Sequence, residues 1–382
     1  MAKKKLLFFS IFIIIILVFV LTIYNIIYKN NNIYLNNKDA APNFISIMLE
    51  ETASSGEYKV SKSNKWPSKG YVFNKEMSYC NNGSTLTWNE NDNSVSVNIN
   101  KTDKCYVYFD IYQPTQPTLA EYIKSQYTGT QGENSLYYHN STLTNGAGDN
   151  SYRYAGASDS VNNYICLGSD EATCPEANLF RIIGVFGDKI KVIRAKSVGY
   201  QQWHTSADNT WSSSSLNAYL NGTYLTSLGT IAEKIATTTW KVGGCSWSNI
   251  KTSVPKIVYK NEVGSSASTT TVDKKIGLMY ISDYYYSASP SAWTLVGYNK
   301  SDATKDYSAA KTINWLYLGS KEWTISRVSD ETFSAFIVDG SGHVFSYNVN
   351  FSNFAVRPSF NLDSTVTYVS GDGTKSNPIR IN

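Results

Sequence analysis

"LFRIIGVFGDKIKVIRAKS", residues 179–197, decides how the larger part of this chain is read. Apolar residues run on both sides of Gly187-Asp188, a dipeptide suited to a two-residue hairpin turn, so the stretch predicts two antiparallel strands. A second hairpin is expected in "TFSAFIVDGSGHVFSYNV" (332–349), around "DGSG". Short strands are expected in "PSFNLDSTVTYVSGDGTKSNPIRI" (358–381), and "KKIGLMYISDYYYS" (274–287) reads as a strand running into a polar loop. Helical spacing occurs between these strands. In "LAEYIKSQY" (119–127), Leu119, Tyr122, Ile123 and Tyr127 share a face, with Thr118 placed as N-cap. In 211–228, Leu216, Tyr219, Leu220 and Tyr224 recur at helical intervals after a capping Ser run, although Gly222 weakens the helix. Strands interleaved with short helices make residues 118–382 one α+β domain.

Working toward the N-terminus, "QPTQP" (113–117) is a proline linker, and residues 43–112 alternate with period two. "GYVFNKEMSYC", "STLTWNEN", "SVSVNIN" and "KCYVYFDIY" are separated by Asn, Asp and Gly at strand-like spacing, which predicts a small all-β sandwich. A bridge from Cys80 to Cys105 would close a loop of about 25 residues and stabilise so small a core by roughly 3–4 kcal/mol.

The first residues carry the strongest compositional signal. Lys3, Lys4 and Lys5 precede an uncharged run from Leu6 to Ile27. A helix of that length spans roughly 33 Å, enough for a bilayer core of about 30 Å. The reading is a cytoplasmic segment 1–5, a transmembrane anchor over 6–27, an Asn-rich linker over 28–42, and the rest of the chain outside the cell. A cleaved signal peptide is the weaker alternative, because the apolar run is long and no small-residue cleavage site follows it closely. Charged residues make up 17% of the chain, against about 25% in an average soluble domain, and there are 29 tyrosines. A net charge of +4, most of it in the N-terminal lysines, leaves no basic footprint for nucleic acid.

Outside the membrane, disulfides persist. Local pairing gives Cys80–Cys105 and Cys166–Cys174, with Cys245 left over, either a buried free thiol or part of a less obvious bridge. No C-x2-C occurs, and His139, His204 and His343 lie far apart, so no metal site is expected.

The segments "SLYYHNSTLTNGAGDNSYRYAG" (135–156), "NYICLGSDEATCPEANLFRIIGVFGDKIKVIRA" (163–195), "WSSSSLNAYLNG" (211–222), "KIGLMYISDYYYS" (275–287), "NWL…EWTISR" (314–327) and "VRPSFNLDSTVTYVSGDGTKSNP" (356–378) resemble an uncharacterised bacterial extracellular domain family. The stretch holding Cys80 and Cys105 also resembles a small module found in front of that domain. The family's fold resembles the C-type-lectin-like scaffold of formylglycine-generating enzymes and phage receptor-binding proteins. The resemblance implies a loop-rich core filled by Trp315, Trp323 and Phe360, with Arg357 held by carbonyls or a carboxylate. It supplies no catalytic residues. A copper-binding cysteine pair near the C-terminus, needed for formylglycine-type activity, is absent after Cys245.

Candidate chemistry is sparse. Cys245 would need His204 or His343 beside it to serve as a nucleophile. Asp283, Asp302, Asp306, Asp363 and the two "SDE" runs (169–171, 329–331) are scattered through Ser/Gly-rich turns and read as turn formers rather than a glycosidase pair. "GDGTKSN" (371–377) and "NGAGDNS" (145–151) hold oxygens that would suit Ca²⁺ but lack a full ligand series. No cofactor is therefore expected, Ca²⁺ being the one ion worth testing. The "SDYYYSASPSAW" loop (282–293) and Trp203 offer aromatic rings with polar tips, so Tyr284, Tyr285, Tyr286, Trp293 and Trp203 are the ligand-binding candidates. The expectation is a membrane-anchored cell-surface binding or adhesion protein without catalytic activity. Its partners would be the membrane, through residues 6–27, and an extracellular glycan, surface polymer or protein. The alternatives are a hydrolase acting on extracellular glycan or cell wall, and a structural, pilus-like component.

Overall fold

The computed structural model describes residues 44–382 except 63–65, 68–69, 90–93, 99–101, 112–115, 299–304 and 352. The segments 1–5, 6–27 and 28–42, and with them the expected anchor, lie outside the described residues. Among the described residues no helix is long and apolar enough to cross a membrane. The architecture is mixed α/β with strands in several sheets. This corrects the expected series of transmembrane helix, all-β sandwich and C-type-lectin-like domain. The chain divides into two compact units, residues 1–115 and 116–382.

The first unit contains β1 (Phe44–Glu50), β2 (Tyr58–Val60), β3 (Tyr71–Cys80), β4 (Thr85–Asn89), β5 (Ser94–Asn98) and β6 (Lys104–Ile111). Four of them form a sheet in the order β2-β1-β6-β3, and β4 and β5 form a separate hairpin. The strands expected for a small all-β sandwich did not include β1, which pairs in parallel with β6, Ile47 opposite Val107 and Leu49 opposite Phe109. Alternation along these strands sends Ile45, Ile47, Leu49, Val107 and Phe109 to one face. Trp66 and the hairpin residues Leu86, Trp88 and Val95 pack against that face, and Phe73 stacks on Trp88 at 4.8 Å. A disulfide joins Cys80 to Cys105, 25 residues apart, at directly paired positions of β3 and β6. With so few buried side chains, the staple carries much of the stability. Replacing both cysteines by Ser is expected to remove roughly 2–4 kcal/mol. Hydrogen exchange at the β3 and β6 amides reads the loss, and unchanged protection would count against it.

The second unit contains β7 (Leu136–Tyr138), β8 (Tyr152–Tyr154), β9 (Tyr164–Cys166), β10 (Leu179–Phe186), β11 (Lys189–Arg194), β12 (Tyr200–Gln201), β13 (Thr238–Lys241), β14 (Thr271–Lys274), β15 (Ile276–Gly277), β16 (Glu322–Arg327), β17 (Ser334–Val338), β18 (Val344–Asn348), β19 (Phe354–Ala355), β20 (Ser359–Leu362), β21 (Tyr368–Ser370) and β22 (Arg380–Ile381). A seven-stranded sheet runs β15-β20-β11-β10-β8-β7, with β9 also on β10. A five-stranded sheet runs β12-β19-β16-β17-β18. The hairpin β10–β11 lies at the centre of the first sheet, turning at Gly187 with φ +69°. Only a residue tolerant of positive φ opens such a two-residue turn without strain. β8 crosses so close at Gly184 that a Cβ there would sit 2.2 Å from the Tyr152 carbonyl oxygen.

Short helices close the unit. Leu119–Ser125 starts in a capping box, Thr118 accepting from the Glu121 amide. Ser214 caps Ser215–Tyr219, and the same helix passes through a π-turn at Leu220–Tyr224, where Gly222 lies. Trp203, Trp211, Trp240, Trp293 and Trp323 are all fully buried.

Candidate functional site

The aromatic residues first assigned to ligand binding point inward. Tyr284, Tyr285, Trp293 and Trp203 are 0% exposed and Tyr286 is 1% exposed. The segment expected as a polar loop is a helix, Ile281–Tyr286, followed by a 3-10 turn, Pro290–Thr294. The reason lies at the polar tips. Tyr284 Oη donates to the Gly342 carbonyl at 3.0 Å and Tyr286 Oη to that of Asn145 at 3.2 Å. Trp293 Nε1 donates to Ala288 O at 2.9 Å and Trp203 Nε1 to Thr324 O at 3.0 Å. With the polar atom satisfied by backbone, a large ring is as good a core residue as Phe. Tyr285 differs, its buried Oη meeting no hydrogen-bond partner among the described residues. Being buried, all five present no face to a ligand outside the unit. Trp315, Trp323 and Phe360 are likewise buried.

The buried charges are committed as well. Arg357 makes a bidentate pair with Glu322 (2.6 and 2.7 Å) and donates to the Leu316 carbonyl at 2.6 Å. Arg153 pairs with Asp149 at 2.6 Å, and Tyr259 donates to the same carboxylate at 2.8 Å. Lys191 meets Asp283 at 2.5 Å. Among the described residues Arg181 meets no carboxylate. It donates to Asn163 Oδ1 (2.6 Å), Ser158 Oγ (2.8 Å) and Val161 O (2.9 Å) between the rings of Tyr164 and Trp315. Burial with only neutral hydrogen-bond partners pulls its guanidinium down to about 10.

His139 is enclosed by Tyr286 and Trp293, and its Nδ1 accepts from the Ala147 amide at 3.1 Å. Burial, then repulsion from Arg153, hold its pKa well below the usual histidine value. In the unfolded chain the ring binds a proton near its ordinary pKa of about 6.5, while in the folded chain it does not. Folding stability therefore falls as pH drops below about 6.5. His139→Gln should lose that part of the slope, and urea titrations of both proteins between about pH 7.5 and 5.5 measure the difference. Parallel pH dependences in the two would refute the assignment.

Thiol chemistry finds no support. Cys245 is free and buried, and burial pushes its pKa well above the ordinary value, keeping it a thiol. Most acids considered for catalysis are engaged separately: Asp283 by Lys191, Asp306 by His343 Nε2 at 2.6 Å, Asp363 by the Thr365 amide at 3.1 Å and Asp330 by the Trp247 amide at 3.2 Å, while Asp170 and Glu171 line the groove described below. Asp302 lies outside the described residues. Of the two loops considered for Ca²⁺, one commits Asp149 to Arg153, and in the other Asp372 accepts from the amide and hydroxyl of Thr374. Among the described residues one cluster combines three metal-capable side chains, Cys80, Asp103 and Cys105. Both of its sulfurs are in the disulfide, which leaves a single carboxylate.

A groove of about 620 Å³ opens to solvent in the second unit. A disulfide from Cys166 to Cys174, eight residues apart, ties one wall into a short loop. The C-terminal hairpin β21–β22 forms the facing wall, and the turn holding Thr230, Ile231 and Lys234 closes the end. Arg380 locks wall to wall, its guanidinium donating to the carbonyls of Ser169 (2.5 Å), Glu171 (2.6 Å) and Ala172 (3.4 Å). Lys234 donates to the Asn382 carbonyl. Apolar surface from Val369 and Ile381 lies beside polar groups from Asp170, Ser370 and Asn377. Sequence reading named Cys166 and Cys174 as a disulfide, Asp170 and Glu171 among scattered turn acids and Asn377 in a turn considered for Ca²⁺, but it did not bring them together as a groove. The disulfide loop was legible, but its partner wall lies 211 positions along the chain.

Residues 187–364 match a family model described as "Domain of unknown function (DUF6273)". The match begins inside the turn of the central hairpin and excludes β7 to β10, so the folded unit is larger than the matched segment. No curated protein and no solved structure matches the chain.

Proposed function

We propose that the 116–382 unit is a non-catalytic binding module of an exported protein, taking a hydroxyl-rich saccharide segment of a surface polymer into the disulfide-framed groove. The groove carries this reading. Its volume falls within the range of about 300–1,000 Å³ common for ligand sites. Two formal positive charges (Lys234, Arg380) face two negative ones (Asp170, Glu171), so the lining is close to neutral. Hydroxyls and amides over an apolar floor complement a sugar, which has hydroxyl edges and C–H faces. Two disulfides suit an oxidising space outside the cytoplasm.

A glycan array probed with the full chain, followed by calorimetry of the best ligand, tests the reading. Ala172→Trp and Ser370→Trp, both at exposed lining positions, fill the groove from opposite sides. Each should weaken binding at least about tenfold, roughly 1.4 kcal/mol, without lowering the melting temperature. Equal affinity in both variants, or no glycan bound at all, would end the proposal. Turnover of the polysaccharide would replace it with a hydrolase.

A further inference from the structure

Two of the buried ion pairs in the second unit use arginine, whose guanidinium stays protonated and is a poor nucleophile. Lys191 is a primary amine. It projects from β11 with its Nζ 2.5 Å from Asp283 Oδ2, and the two side chains are 6% and 3% exposed. The rings of Tyr280 (4.3 Å), Trp240 (5.3 Å) and Phe186 (5.9 Å) surround the amine. The Tyr280 amide donates to the same carboxylate oxygen at 2.8 Å, drawing electron density from the carboxyl group. Glu262 adds a further buried carboxyl to this region, held by the amides of Ile281 and Ser282 at 2.9 Å each. Both partners sit on rigid elements: Lys191 on a central strand, Asp283 in the first turn of the helix Ile281–Tyr286.

We propose that Lys191 and Asp283 condense into an intramolecular amide, cross-linking the seven-stranded sheet to the helix Ile281–Tyr286. The step balances without any outside reagent. A proton passes from the ammonium to the carboxylate, leaving an amine and a carboxylic acid. The Nζ lone pair attacks Cγ of Asp283, forming the C–N bond. The tetrahedral centre then collapses, the C–O bond breaks, and the oxygen departs as water with two protons, one from the carboxylic acid and one from nitrogen. One ammonium and one carboxylate become one amide and one water.

Three physical factors favour this direction. The reacting groups are held in contact, and such intramolecular placement is worth effective concentrations of about 10⁵–10⁸ M. The low-dielectric surroundings penalise the separated ions and not the neutral amide. Burial also lowers the pKa of Lys191, opposed in part by Asp283, and so favours the uncharged nucleophile.

Intact-mass spectrometry of the full chain, reduced, alkylated and denatured, decides the matter. The expected mass is one water below that of the sequence. Digestion should give a branched peptide joining the segments around Lys191 and Asp283, with no tryptic cleavage after Lys191. Lys191→Arg should restore the full mass. The full sequence mass in the wild type, with the two peptides recovered separately, overturns the proposal. So does a missing water that persists in Lys191→Arg, since the dehydration would then lie elsewhere. The wild-type measurement stands alone should the variant fail to fold.

Discussion

Glu322→Ala is expected to destabilise the 116–382 unit by roughly 3–5 kcal/mol, because it strands a buried guanidinium. Arg357 is 3% exposed, and both oxygens of Glu322 accept from it. Burial raises the Glu322 pKa and Arg357 opposes that rise, so each charge is tolerable only while its partner stands. One carbonyl, Leu316 O, would be left to solvate the cation. The double replacement Glu322→Leu with Arg357→Met removes both charges and should recover most of the loss, since apolar packing can match a buried pair. Urea denaturation of the two variants measures this. A single-variant cost below about 1 kcal/mol would mean that the pair is solvated.

Trp293→Ala should cost a comparable amount, about 3–5 kcal/mol, through the cavity it opens. The indole is 0% exposed and meets Tyr137 at 5.3 Å, Tyr286 at 5.4 Å and His139 at 5.1 Å. Its Nε1–H holds the Ala288 carbonyl, so the truncation also orphans a buried acceptor. Ligand affinity measured well below the melting temperature should stay within about twofold of wild type, because the ring lies in the core and not in the groove. Thermal denaturation and calorimetry together separate the outcomes. A large affinity loss in a variant of unchanged stability would restore this tryptophan to a binding role.

The sequence exposed local features well and distant ones poorly. The hairpin at Gly187-Asp188, the Thr118 cap and both disulfides were legible because each is set within a few residues or by few possible pairings. The parallel partner of β6 was not, because "FISIMLE" carries no mark of the strand beside which it lies. The tyrosine run misled for a chemical reason. A phenol next to Ser and Asp looks solvated in sequence, yet a single carbonyl contact satisfies it, as Gly342 does for Tyr284. The groove was invisible for want of any motif. Its walls are remote in the chain and meet through Arg380 and backbone carbonyls, which any sequence could provide.

The two ends of the second unit flank the same short segment. Leu119 N–H binds Val366 O at 2.8 Å, Tyr368 N–H binds Pro117 O at 3.0 Å, and on the opposite edge Thr367 N–H binds the Asn382 side chain at 3.1 Å. Entry and exit are thus separated by about the width of one strand, roughly 10 Å. A unit with adjoining ends can be spliced into a surface loop of another protein, or circularly permuted, with little distortion of its host.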